Sequence, residues 1–284
     1  MANFIQLHLV YGYDRRPDRD SGAGGTARGE ESYFLLMTNI IRLQNVNLHY
    51  ASVAFRERSL KSLLAGWLAP GRTRHEIVDI HALKDLNVEI KEGERVGVLG
   101  HNGAGKSSFL KMVAGLYPIS SGKRDVRGTV RSMLDLSLGF EPDATGRENI
   151  LYRGLLLGLS PKAMREMEAE IVEFADIGEF IDYPLKTYSA GMQVRLAFAI
   201  STAVSGDILL LDEVVGAGDA RFIAKAQTRI LELVEKSEIM ILASHDLSNL
   251  EKLCHRGLVF SGGKLILDAP IHEAIEHYRR ISAQ

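Results

Sequence analysis

The sequence predicts an α/β protein, a buried and mostly parallel sheet interrupted by a helical insertion. Three observations carry that expectation. Residues 208–211 (I-L-L-L) and 239–243 (I-M-I-L-A) are continuous apolar runs, the pattern of strands covered on both faces. A glycine-rich loop lies between an apolar strand at 95–99 and a helical stretch at 107–114. Residues 145–204 show helical rather than alternating spacing.

Taken in order, residues 14–32 are polar and rich in glycine, too poor in apolar side chains to order themselves. With Met37 ahead of a strand-like stretch at 40–46, folded structure is expected to begin there, leaving residues 1–36 as a tail or an over-extended start. A strand is expected at 82–90, a turn at 91–94 and a buried strand at 95–99. In the helix that follows, Phe109, Leu110, Val113 and Ala114 keep helical spacing. Ser160-Pro161 reads as an N-cap with proline at the first helical position. Met164, Met167, Ile171 and Phe174 then form one apolar face, a packing stripe and not a ligand set. Residues 220–236 read as a helix between the two apolar strands, and no internal repeat is visible.

Hydrophobic residues at 46 % and charged residues at 25 % are ordinary for a soluble globular protein. The net charge of -2 supplies no basic field and argues against nucleic acid as a partner. The one cysteine, Cys254, cannot form an internal disulfide and fits a reducing compartment. It is expected to be an inert helix residue. No apolar run approaches the roughly 18–20 residues of a membrane span, and the N-terminus lacks a signal-peptide pattern. A cytosolic chain is expected, reaching a membrane through a partner or an interfacial segment.

Gly100-His101-Asn102-Gly103-Ala104-Gly105-Lys106-Ser107 matches G-x-x-x-x-G-K-[ST] in full, between a strand and a helix. Such a loop turns backbone N–H groups toward phosphate oxygens, and the helix start adds partial positive charge. Lys106 is expected at the β- and γ-phosphates, Ser107 on Mg²⁺ and Ser108 on an α-phosphate oxygen. The strand at 208–211 ends in Asp212-Glu213, placing two carboxylates at the sheet edge where nucleotides bind in open α/β folds. Asp212 would hold Mg²⁺ and Glu213 would orient or deprotonate the attacking water.

Thr187-Tyr188-Ser189-Ala190-Gly191-Met192-Gln193 precedes that strand. Ser189 is placed to cap the helix carrying Arg195, Leu196, Ala199 and Ile200, and Gly191 to permit a close backbone approach to phosphate. With these motifs the chain resembles the ABC ATPases, whose signature is usually L-S-G-G-Q where this chain has Y-S-A-G-M-Q. The resemblance spans roughly residues 40–270. It implies a P-loop ABC-type nucleotide-binding domain with a RecA-like core, an antiparallel β subdomain and a helical subdomain. The boundaries expected are 37–270 for the domain, about 135–200 for its helical part and 271–284 for a short C-terminal helix. It also implies that Ser189, Ala190 and Gly191 bind the γ-phosphate of ATP held by a second copy, giving a homodimer through ATP. His245, in A-S-H-D after a buried strand, matches the switch histidine that meets the γ-phosphate and the water. Asp219 falls in the D-loop position. Tyr50 takes the place of the aromatic that stacks on adenine, with His81 a second candidate. One motif departs: no glutamine occurs from 125 to 192, and Asp135 or Leu136 falls where the family has one. Asp135 is preferred as the metal contact because it supplies oxygen.

Y-S-A-G-M, V-G-A-G-D, the 138–150 stretch L-G-F-E-P-D-A-T-G-R-E-N-I and a segment inserted between Tyr50 and His81 look like the ATPase subunits of bacterial polysaccharide exporters, those for O-antigen, capsule or teichoic acid. That branch implies a multi-span membrane permease as partner, a lipid-linked glycan near the entrance, and a place on the cytoplasmic face of the inner membrane. Some relatives add a carbohydrate-binding domain. With this chain ending at Gln284, the expectation is that it does not read the glycan's end itself. In the inserted segment, Leu60, Leu63, Leu64, Trp67 and Leu68 share a helical face, joined by Arg56, Arg58 and Lys61. An interfacial helix at the membrane and an amphipathic helix packed on its own domain both fit. A soluble cassette of translation or DNA repair, usually tandem or bearing a long coiled coil, fits less well. A pseudo-enzyme is disfavoured by Lys106, Asp212, Glu213 and His245.

Overall fold

The computed structural model of the chain describes residues 39–53, 77–134, 139–212 and 219–282. The expectations for residues 1–36 and 55–68, for Asp135 and Leu136, and for Glu213 and residues 216–218 lie outside the described residues.

Strand β1 (Ile40–Val53) pairs antiparallel with β2 (Ile77–Lys91). Both run beyond the stretches expected from sequence, and Tyr50 lies within β1, opposite Ile80, instead of following it. The reason is tertiary: β1 is the middle strand of a three-stranded sheet, so its backbone is bonded on two sides. Asn45, at φ 48, sits at a register shift between Leu43 and Val46, a bulge that increases the local twist. Then come β3 (Arg95–Leu99), helix α1 (Lys106–Val113), β4 (Ser121–Arg127) and β5 (Val130–Met133). The helical block holds α2 (Gly146–Leu156), α3 (Pro161–Ala175) and α4 (Ala190–Thr202). The remaining elements are β6 (Ile208–Asp212), α5 (Ala220–Lys236), β7 (Ile239–Ala243), α6 (Leu247–Leu253), β8 (Arg256–Ser261), β9 (Lys264–Pro270) and α7 (Ile271–Ser282).

The second sheet has the order β5-β6-β7-β3-β8-β9. Its first five strands are parallel and β9 is antiparallel. Strand alternation divides the core between the two faces of this sheet. From β6 and β7, Ile208, Leu210, Ile239, Ile241 and Ala243 pack with α1 and the β1–β2 pair. Their neighbours Leu209, Leu211, Met240 and Leu242 pack with α3, α4, α5 and α7. Each fully buried aliphatic side chain contributes roughly 1.5–3 kcal/mol, so a charge anywhere in these runs breaks one core or the other.

Helix starts follow their caps. Thr145 and Glu148 form a reciprocal capping box at α2, a signal present in the sequence as T-x-x-E. Ser160 accepts from the Ala163 N–H ahead of Pro161, and Ser189 accepts from the Met192 N–H. Asp219 and Asp246 cap α5 and α6. Each such cap contributes about 1 kcal/mol. Cys254 is buried, as expected, but follows α6 as its C-cap instead of lying inside the helix. Burial pushes its thiol up to about 12.

Candidate active site

The loop from β3 to α1 is shaped by its glycines. A Cβ on Gly100 would lie 2.6 Å from the Phe260 carbonyl oxygen and 2.9 Å from the Ala104 Cβ. Gly105, at φ 110, is the N-cap of α1 and offers no side-chain cap, so the first N–H groups of the helix face the cleft. At the other end, the Arg124 guanidinium donates to the Met112 and Val113 carbonyl oxygens at 2.9 and 2.7 Å. A cation on the final carbonyls complements the helix dipole.

Lys106 is 9 % exposed, and its Nζ donates to the Gly100 and His101 carbonyl oxygens at 2.6 and 3.2 Å. The ammonium is thus held at the loop's throat by backbone acceptors that a phosphate oxygen can replace. The Ser107 hydroxyl donates to Asp212 Oδ2 at 2.9 Å across 105 residues of chain. Parallel pairing of β6 with β7 sets Asp212 beside Ala243, and His245 follows two residues on, exposed at the cleft.

These groups line a cleft of about 480 Å³ with Tyr50, His81, His101, Asn102, Gly103, Gly105 and Ser108. Ile80, Ala82, Leu134, Gly262 and Gly263 complete the wall. None of those five was singled out from sequence, because each reaches the cleft by strand pairing or by the β8–β9 turn and carries no motif. Gly100 and Ala104 shape the loop from beneath without lining the cleft. The two base-contact candidates separate here. The His81 ring stacks on His49 at 3.8 Å, and its Nε2 lies 2.9 Å from Asn47 Oδ1. Tyr50 remains 41 % exposed, an available aromatic face.

Ser189, Ala190, Gly191 and Asp219 are not among the cleft's lining residues. Ser189 and Ala190 are exposed at the start of α4. Among the described residues a Cβ on Gly191 would meet only the Ser189 Oγ, at 3.9 Å, so none of them requires glycine there. The Asp219 carboxyl accepts from the Phe222 N–H at 2.9 Å and pairs with Arg195 of α4. That N–H bond, with the guanidinium adding to it, holds the carboxyl below the usual carboxylate range.

A family model described as ABC transporter matches residues 83–216. An O-antigen export system ATP-binding protein (RfbE) of Yersinia enterocolitica is 41 % identical over 223 residues, covering 78 % of this chain and 93 % of that protein. The chain belongs to the ABC transporter family. Other relatives of this ABC ATPase are longer. An O-antigen export system ATP-binding protein (RfbB) of Myxococcus xanthus is 37 % identical over 233 residues, which is 80 % of this chain and 53 % of that one. A teichoic acids export ATP-binding protein (TagH) of Lactiplantibacillus plantarum is 38 % identical over 201 residues, 71 % of this chain and 55 % of that one. The chain therefore spans about half the length of these two. Its fold matches the ATP-binding cassette MJ0796, solved as a dimer in a post-hydrolysis state bound to ADP and Pi. The TM-score is 0.59 at 22 % identity, covering 81 % of this chain and 98 % of that one. Two sheets plus a helical block are thus an ABC cassette, a fold that binds ATP. Among the described residues no helix is long and apolar enough to cross a membrane.

The donor set at the cleft's base suits Mg²⁺. A hydroxyl and a carboxylate, both hard oxygen donors, meet at Ser107 and Asp212. Mg²⁺ typically takes one or two protein oxygens, substrate phosphates and water, without an all-protein cage. Among the described residues no cluster of three or more His, Cys, Asp or Glu competes as a metal site.

Proposed function

We propose that this chain hydrolyses ATP as the motor subunit of a transporter that exports a lipid-linked polysaccharide of the O-antigen, capsule or teichoic acid kind across the cytoplasmic membrane. The observation that carries the catalytic part is the Ser107–Asp212 hydrogen bond beside the Lys106 ammonium. It joins the phosphate loop to a carboxylate from a strand distant in sequence. The likeness to the O-antigen and teichoic acid export ATP-binding proteins supports the export part.

In this reading Lys106 and the N–H groups of the loop hold the β- and γ-phosphates. Ser107 and Asp212 hold Mg²⁺, which would neutralise charge on the phosphate oxygens. Tyr50 offers its face to adenine. Glu213, next to Asp212, takes or orients the proton of the attacking water, and His245 contacts the γ-phosphate. Ser189, Ala190 and Gly191 act in trans. The exposure of Ser189 and Ala190 and the open space at Gly191 support a surface completed by another molecule, here the ATP of a second copy in a head-to-tail homodimer. Asp135 is retained as the candidate oxygen donor in place of the missing glutamine. The cassette works at the cytoplasmic face of the membrane, held there by a multi-span permease.

Two substitutions test the chemistry. Glu213→Gln keeps ATP binding and slows turnover by at least about a hundredfold, the lower end for a general base. Lys106→Ala weakens binding itself. Near-normal turnover in Glu213→Gln removes Glu213 from its role. In cells, replacing the chain by Glu213→Gln leaves the surface glycan depleted. Unchanged surface glycan overturns the export reading.

A further inference from the structure

The aromatic at the cleft mouth is braced from behind. Tyr50 has the Tyr117 ring as its neighbour, with centroids 6.0 Å apart and planes tilted by 49°, within the range of favourable aromatic pairs. Tyr117 is not among the cleft's lining residues. Lys111 Nζ lies 5.6 Å over the Tyr117 ring, inside cation–π reach. The segment carrying Tyr117 is pinned at both ends. On one side the Leu116 and Tyr117 N–H groups donate to the Lys111 carbonyl oxygen at 2.9 and 3.3 Å. On the other, the Ser120 N–H donates to the Asn47 carbonyl oxygen at 2.8 Å, and the His49 N–H donates to Ser120 Oγ at 2.8 Å. Tyr117 therefore ties the last turn of α1, the helix that starts at Lys106, to β1 next to Tyr50.

We infer that Tyr117 is a positioning residue for the nucleotide. It holds the Tyr50 ring in register with α1, so that the base platform and the phosphate-binding end of the same helix are set at a fixed separation. This rests on the reading of Tyr50 as the base platform. A half-exposed tyrosine without a backing ring samples several rotamers, and selecting one of them on binding costs affinity. With Tyr117 in place that selection is made before the nucleotide arrives. Phosphate contacts owe nothing to the brace.

The test is steady-state ATPase kinetics of the purified chain, with inorganic tripolyphosphate as a competitive inhibitor that has phosphates and no base. Tyr117→Ala raises KM for ATP about two- to tenfold, the scale of one aromatic pair, with kcat within about twofold. The inhibition constant for tripolyphosphate stays at the wild-type value, and Tyr117→Phe restores KM. Tyr50→Ala raises KM by itself, and adding Tyr117→Ala raises it no further. If Tyr117→Ala does not fold, Tyr117→Leu removes the ring while filling the space, and the same values are expected. An unchanged KM in the ring-less variant overturns the brace, as does a tripolyphosphate constant that rises in step with KM. If Tyr50→Ala raises KM and the Tyr117 variants do not, only the brace fails. If Tyr50→Ala leaves KM unchanged, the platform and the brace fail together.

Discussion

Asn149 on α2 is fully buried, and its side chain closes the turn at 141–145. Its Oδ1 accepts from the Glu141 N–H at 2.7 Å, and its Nδ2 donates to the Glu141, Ala144 and Thr145 carbonyl oxygens at 3.0, 3.2 and 2.9 Å. Asn149→Ala deletes all four bonds, but their losses are unequal. The Glu141 carbonyl keeps the Ala144 N–H, the Ala144 carbonyl keeps the Leu185 N–H, and the Thr145 carbonyl keeps the Asn149 N–H. Only the Glu141 N–H loses its one hydrogen-bond partner among the described residues. An orphaned N–H costs about 1–3 kcal/mol, and three carbonyls losing a second bond add a smaller amount. A deficit of roughly 2–3 kcal/mol follows, which for a domain of this size lowers Tm by about 4–12 °C. Asn149→Asp sharpens the test. The carboxylate can still accept from Glu141 N–H, yet it faces three carbonyl oxygens, so its folded-state pKa is raised above the unfolded value. Its penalty is full above the folded pKa and shrinks as pH falls toward the unfolded value near 4. Thermal and urea unfolding of the three proteins between pH 5 and 8 measure this. A deficit under about 0.5 kcal/mol for Asn149→Ala, or an Asp variant whose stability does not improve on acidification, refutes the accounting.

Two further outcomes are expected. Ser189→Arg places a long cation where a second copy's nucleotide is proposed to dock, so it abolishes hydrolysis while ATP binding by the monomer persists. Full activity in a strictly monomeric preparation would contradict the trans arrangement. The Cys254 thiol is 3 % exposed and held protonated by burial, so at pH 8 it stays unreactive toward a disulfide reagent until the chain is unfolded. Rapid labelling of the native protein would show that α6 opens readily.

Much of this protein is set by short-range requirements, and those parts were legible in the amino-acid sequence. Gly100 to Ser107 were legible because glycine spacing and a following helix are local signals, although Gly100 is also required by its approach to the Phe260 carbonyl oxygen. Residues 208–211 and 239–243 are apolar at every position because both faces of their strands are covered, and Ser160 and Ser189 announce helices through bonds made within one turn. The composition of the cleft is different in kind. Ser107 meets Asp212 only because β6 lies two strands from β3 in the sheet, with β7 between them. Gly262, Gly263 and Leu134 become walls through pairings that no local pattern encodes. His81 stood as a second candidate beside Tyr50 until the fold stacked His81 on His49 and left the Tyr50 ring open. Tyr117 gained its place behind Tyr50 from a loop stitched to β1. Side-chain partners so far apart along the chain depend on strand order and register, and those are decided by burying the two faces of one sheet at once.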